Sequence, residues 1–172
     1  KQEERIGILE NYDTYMQELE KSCEQLSQKY LELAGKLSAL RQKKAKMLEK
    51  KIQEGLEDLN FEQVQFEIHF AEKKEYAKDG IDDVEFRISL NQGQPVKPLT
   101  EVASGGELSR IMLAIKAVMA DKDEIETLIF DEIDTGISGR TAQKVSERLS
   151  YIGKKHQVLC ITHLPQIAAM AD

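Results

Sequence analysis

Ala103-Ser104-Gly105-Gly106-Glu107-Leu108-Ser109-Arg110 is the stretch on which the reading of this chain turns. It precedes Ile111, Leu113, Ala114, Ile115, Ala117 and Val118, whose spacing predicts a helix with an apolar face. Two glycines at that start leave backbone N–H groups with no Cβ beside them. A helix start carries unpaired donors and about half a positive charge, so it suits an anion such as phosphate. The same residues admit a plainer reading. Ser104 and Glu107 have the spacing of a capping box, in which two side chains satisfy the first orphan N–H groups. The octapeptide alone does not separate the two readings.

The sequence downstream adds chemistry. Thr127-Leu128-Ile129-Phe130 reads as a short apolar strand running into Asp131-Glu132-Ile133-Asp134. A loop with Gly136 and Gly139 leads into a helix over 139–152, and residues 157–162 form a second apolar strand that ends at His163. Strand–helix–strand predicts two parallel strands with a right-handed crossover. Ligands of such sheets sit at the carboxyl ends of the strands, where Asp131, Glu132 and His163 all fall. Adjacent acids there suit Mg²⁺–nucleotide chemistry. Asp131 can hold a hard cation, directly or through a water. Glu132 can orient or deprotonate a water for attack on a γ-phosphate, and His163 can hydrogen-bond that phosphate. Singly, each has a plain alternative: an acidic loop, a packing histidine. Together with the glycine-rich turn they favour the functional reading.

Upstream, residues 5 to about 56 are expected to be helical. Steps of three and four pick out Leu9, Tyr12, Met16, Leu19, Cys23, Leu26, Tyr30, Leu33, Leu37, Leu40, Lys44 and Met47. Heptads sustained this far indicate a coiled-coil arm of about 75 Å. The stripe needs a partner helix, and the chain offers no second segment of similar length. Gly55 is expected to mark the end of the arm. Residues 36–51 hold seven basic side chains and one acidic, against a net charge of −7 for the whole chain. That cluster reads as a solvated helix face or as a contact for the DNA backbone. Residues 61–70 and 84–90 alternate apolar and polar, as half-buried strands do. His69 falls on the polar phase, as a surface residue. Pro95 and Pro98 are expected to block further strand pairing in the loop that follows.

Composition sets the frame. Charged residues make up 32% and aromatics 6%, which suits a long exposed helix attached to a smaller core. Cys23 and Cys160 sit in apolar patterns without metal-ligand neighbours and are expected to be small buried hydrophobes. No apolar run approaches the roughly 20 residues of a membrane span. The chain opens and stops in mid-pattern, so a longer polypeptide is expected.

Leu128-Ile129-Phe130-Asp131-Glu132 resembles the Walker B strand of ABC-type ATPases, and Ser104-Gly105-Gly106-Glu107-Leu108 is similar to their signature motif. The segment Asp134–Arg140 sits where their D-loop lies, and His163 at their switch histidine. A long coiled coil ahead of this set resembles the structural-maintenance-of-chromosomes (SMC) branch, its bacterial DNA-repair members in particular. The match is specific over the last 70 or so residues and general before them. It implies an α/β fold: residues 1–56 as a returning coiled-coil arm, then 57–172 as the C-terminal lobe of an ATPase head, with parallel strands, crossover helices and a small antiparallel pair. It also implies ATP and Mg²⁺ held between two heads of a homodimer. One head would supply Asp131, Glu132 and His163; the other would cap its ATP with Ser104, Gly105, Gly106 and Glu107. ATP would join the heads and hydrolysis release them, in a cytoplasmic, nucleoid-associated protein that repairs DNA double-strand breaks. The sequence has no G-x-x-x-x-G-K-[ST] phosphate loop. In this family that loop belongs to an N-terminal lobe ahead of the outgoing coil, which would be a partner of this chain. Ser138 stands where the wider family often has Asp. The rival readings are a head of another SMC-like ATPase, in cohesion or nuclease assembly, and a non-catalytic coiled-coil scaffold.

Overall fold

The computed structural model describes residues 6, 11–61, 63–91, 93–102 and 104–171. Leu9, Ala103 and the expected helix start at residue 5 lie outside them. The elements run in the order α1 (Tyr12–Asp58), β1 (Gln65–Glu72), β2 (Asp82–Ser89), β3 (Lys97–Pro98), a 3-10 turn (Leu99–Glu101), α2 (Gly105–Met119), β4 (Thr127–Phe130), α3 (Gly139–Gly153), β5 (Gln157–Cys160) and α4 (Pro165–Ala168). β1, β2 and β3 form one sheet in that order, and β4 and β5 form another. Among the described residues no helix is long and apolar enough to cross a membrane. The chain divides into two compact units, residues 1–42 with 71–83, and residues 43–70 with 84–172.

In the first unit the connection between β1 and β2 packs on one stripe of α1. The Tyr30 hydroxyl donates to Ala77 O at 3.1 Å, and the Tyr30 and Tyr76 rings lie 4.7 Å apart. Asp82 is buried and takes a bond from Ser38 Oγ at 2.6 Å and one from Arg41 Nη1 at 3.0 Å. Gly80, at φ +97°, lies where a Cβ would press within 3.3 Å of Arg41 and Leu37. The covered stripe carries Tyr30, Ala34, Ser38 and Arg41, whereas the heptad residues Leu19, Leu26, Leu33, Leu37 and Leu40 are exposed. Cys23 is exposed as well, contrary to expectation, because it belongs to the uncovered heptad face. Gly35 sits within an unbroken helix.

The second unit holds the core. Ile52, Leu56 and Leu59 at the end of α1 are fully buried, as are Ile111 and Leu113 of α2, Ile133, and Val145 and Ile152 of α3. Phe66, Ile68 and Ile88 extend this core into the first sheet, where Phe66 meets Phe86 edge to face at 5.5 Å. Gly55 does not end the helix: a Cβ there would touch Ala114 at 3.7 Å, so its small size admits α2. Lys97 and Pro98 do pair, as a short edge strand antiparallel to β2, with Pro98 opposite Arg87. A proline on an edge costs little, since its missing N–H need not face a neighbour. Asp58 accepts from Lys144 Nζ at 3.4 Å and Arg148 Nη2 at 2.5 Å, fastening the end of α1 to α3. The His156 ring lies between Ile125 O at 2.7 Å and Ala120 O at 3.1 Å, tying the approach to β4 to the start of β5.

β4 and β5 run parallel, with Thr127 opposite Gln157 and Phe130 opposite Cys160. Leu128 and Phe130 face the core. Ile129, Leu159 and Ile161 are exposed on the other side. Parallel strands ordinarily bury both faces, so this open apolar face is unusual.

Candidate functional site

The parallel register carries β4 and β5 to the same edge, and the Ile161 N–H donates to Phe130 O at 3.0 Å just past the ladder. The chain leaves β4 through Asp131 and Glu132, both exposed. Asp131 Oδ1 accepts from the Glu132 N–H at 2.8 Å, and the Asp131 carbonyl accepts from Ser109 Oγ at 2.7 Å. Glu132 adopts φ +56°, a left-handed conformation that costs a non-glycine residue about 1–3 kcal/mol and tends to occur at functional sites.

Ser104 is the N-cap of α2, and its Oγ accepts from the Glu107 N–H at 3.4 Å. The cap is therefore real, and it leaves the glycines to be explained separately. Gly106 is buried: a Cβ there would lie 2.9 Å from both Glu132 O and Thr135 Cβ. Its lack of a side chain is required by the loop of its own chain. Gly105 is exposed, and a Cβ there would meet only the Glu132 carboxylate, at 2.5 Å from Oε2. The signature-like turn and the acidic pair are thus brought together within one chain, with Glu132 against Gly105.

Three residues given no role by the sequence hold this arrangement. Arg110 is 7% exposed and donates to Ile133 O at 3.2 Å and Thr135 O at 2.8 Å, its guanidinium 5.6 Å over the Phe61 ring. Burial lowers its pKa against an opposing pull from Glu107, and the two carbonyls and the ring face replace the lost water. Asp134, 3% exposed, accepts from Thr162 Oγ1 at 2.5 Å and the His163 N–H at 2.8 Å. Its Oδ2 also lies 3.1 Å from His163 Nδ1. Burial alone would raise its pKa. The bonds from Thr162 and from the His163 amide, with the His163 charge, outweigh burial and hold it below the usual carboxylate range. Thr162 in turn accepts from the Leu164 N–H at 3.1 Å. The imidazole of His163 is otherwise 74% exposed. No local signal marks Asp134 as buried or Arg110 as a clamp; both roles come from where α2 and β5 meet the loop.

Among the described residues no group of three or more His, Cys, Asp and Glu side chains is arranged to hold a metal ion. Of the basic cluster, Lys36, Arg41, Lys46 and Lys50 each lie in an ion pair with a nearby acid. An open depression of about 350 Å³ lies elsewhere, against Val84, Phe86, Pro98 and Leu99, and is lined by none of the candidate site residues.

No family model matches the chain. It is 44% identical over 174 residues to the DNA repair protein RecN of Halalkalibacterium halodurans, covering 99% of this chain and 31% of that protein. It is 42% identical to DNA repair protein RecN of Bacillus subtilis, over 99% of this chain and 32% of that one, and 42% identical to that of Vibrio cholerae over 96% and 30%. The chain therefore spans about a third of the length of these relatives. In fold it is similar to the Smc head domain of Pyrococcus furiosus, solved with an extended coiled coil and bound to the C-terminal domain of ScpA, with TM-score 0.59 and 20% identity over 99% of this chain and 40% of that one. The Smc head of Pyrococcus yayanosii, solved with a coiled coil and joint, gives 0.61 and 20% over 93% and 30%. Along almost its whole length this chain is similar to one segment, about a third, of the RecN proteins, and it shares the α/β fold of the Smc head domains.

Proposed function

We propose that this chain supplies half of a composite ATP site in a RecN-like ATPase that acts in DNA double-strand break repair. Residues 1–56 serve as the returning coiled-coil arm and 57–172 as the C-terminal lobe of the head. The observation that carries this reading is the parallel β4–β5 register, which directs Asp131, Glu132 and His163 to one edge. The open apolar face of Ile129, Leu159 and Ile161 supports a covering lobe, the one expected to bear the phosphate loop.

Asp131 suits a hard cation held largely by water and phosphate: a single exposed carboxylate, one oxygen of which is already engaged by the Glu132 N–H. Mg²⁺, when bound, neutralises charge that develops on the phosphate oxygens. Glu132 orients a water and takes its proton; His163 contacts the terminal phosphate. The α2 start, with Ser104, the exposed Gly105 and Glu107, meets the nucleotide of the opposing head in a homodimer, and the buried Gly106 belongs to it by seating the turn against the Glu132–Thr135 loop. Nucleotide thereby joins heads, and its hydrolysis frees them to release or reorganise DNA in the nucleoid.

In the intact protein, Glu132→Gln is expected to abolish hydrolysis and to preserve ATP-dependent head association, read by sedimentation. Loss of both would reject the hydrolytic role. The present chain alone is expected to turn over no ATP until polypeptide bearing the phosphate loop is added; robust hydrolysis without it would overturn the shared-site reading.

A further inference from the structure

We propose that Asp134 is a positioning residue for His163, fixing which imidazole nitrogen carries the proton and therefore which nitrogen is presented to the nucleotide. The inference rests on the reading of His163 as a phosphate contact and extends it to an upstream acid. Asp134 lies two residues beyond Glu132, on the loop that leaves β4, yet its carboxylate points inward and is 3% exposed. One oxygen, Oδ2, serves three groups of the chain leaving β5: the Thr162 hydroxyl at 2.5 Å, the His163 amide at 2.8 Å and His163 Nδ1 at 3.1 Å.

The first two contacts are what a loop staple would need. The third is not. A bare Nδ1 would set its lone pair against a carboxylate oxygen, whereas a protonated Nδ1 offers that oxygen a hydrogen. The contact is a close charge contact rather than an aligned hydrogen bond, and the carboxylate's charge favours the hydrogen on Nδ1, which leaves Nε2 as the nitrogen available to a ligand. In the neutral ring Nε2 accepts, from a water for instance. When the ring takes a second proton, Nε2 donates to a phosphate oxygen, and Asp134 balances the charge. The carboxylate is equipped for this, since its hydrogen bonds keep it ionised despite burial. Thr162 fixes the geometry by accepting from the Leu164 N–H while donating to Asp134, so the turn at 162–164 is wrapped around one oxygen.

Asp134→Asn separates positioning from stapling. The amide oxygen still accepts from Thr162 and from the His163 backbone, but the charge facing Nδ1 is gone. The test uses the intact ATPase with ¹⁵N-labelled histidine, the His163 signals being assigned by their loss in His163→Gln. Wild-type protein is expected to show a protonated Nδ1 and a bare Nε2 in the neutral ring. In Asp134→Asn that preference is expected to relax or reverse, and kcat for ATP to fall about 10-fold or more with KM nearly unchanged, by analogy with the partners of metal-ligating histidines. A folded Asp134→Asn protein with unchanged imidazole shifts and unchanged kcat would overturn the proposal. So would a wild-type His163 protonated on Nε2, a result that does not depend on the variant folding. His163→Ala tests the underlying reading separately. Wild-type turnover in that variant would reject His163 as a phosphate contact, whatever the tautomer measurement gives.

Discussion

Along α1, residues 19 to 40 expose Leu19, Leu26, Leu33 and Leu40 at heptad spacing. Between 104 and 164 the pattern is reversed: Ile111, Leu113, Ile133, Val145 and Ile152 are at most 0% exposed, and the polar groups that go inside, Arg110 and Asp134, have their partners. The same chemical signal, apolar residues at helical spacing, is thus spent in two ways. In the lobe it is used internally to set the ends of β4 and β5. In the arm it stays exposed, and the stripe the chain does cover carries Ala34 and Ser38 instead. An apolar period shows that a face will be buried; it does not show whether the partner is in the same chain.

Core truncation breaks this comparison most directly. Leu113→Ala is expected to cost about 2–5 kcal/mol, since the side chain is fully buried and its cavity cannot fill from solvent. Leu26→Ala, at a position 64% exposed, should stay within about 0.5 kcal/mol when this chain is studied alone. Urea unfolding of both variants reads the difference, and a large cost at Leu26 would mean that the arm face is already covered. The glycine pair sharpens the contrast within the lobe. Gly106→Ala pushes a methyl into Glu132 O and Thr135 and is expected to lose about 1–3 kcal/mol. Gly105→Ala displaces only the flexible end of Glu132, so its folding cost should be distinctly smaller. Equal melting temperatures for the two would contradict the packing described.

Acid gives a smaller effect. Asp134 has a depressed pKa in the folded state, so its stabilisation is present above the unfolded value of about 4 and is lost as pH falls through the lower folded value. Asp58 acts in the same direction, chiefly through its hydrogen bond from Arg148 against the opposing effect of burial. Stability measured by denaturant at falling pH should decline below about pH 4, and Asp134→Asn should flatten that decline. A small effect is also expected at Asp58 itself. Its side chain is 48% exposed, so solvent screens the pair, and Asp58→Ala should cost no more than about 1 kcal/mol.

Much of this was legible in the residues. The strand Thr127–Phe130 and the helices beginning at Gly105 and Gly139 follow from apolar period and glycine placement. The acidic pair and His163 fall at strand ends because of chain order alone. Gly55 and Pro98 were misleading for a common reason: a helix breaker or a proline signals a boundary only when no neighbour makes use of it. Gly55 admits Ala114, and Pro98 lies on an edge.

From the amino-acid sequence came the main helices and strands, though not the short edge strand at Lys97–Pro98 or the short helix at Pro165–Ala168, together with the residues that reach the ends of the parallel pair and the apolar face of the arm. These depend on periodicity and on near-neighbour chemistry, both of which the linear order contains. Only the tertiary structure decided that Gly106 is demanded by the Glu132–Thr135 loop, that Arg110 clamps that loop, and that Asp134 turns inward to His163. Each of these joins residues more than 20 positions apart. The deciding quantities, exclusion of water and approach to within about 3 Å, exist only once the elements have packed.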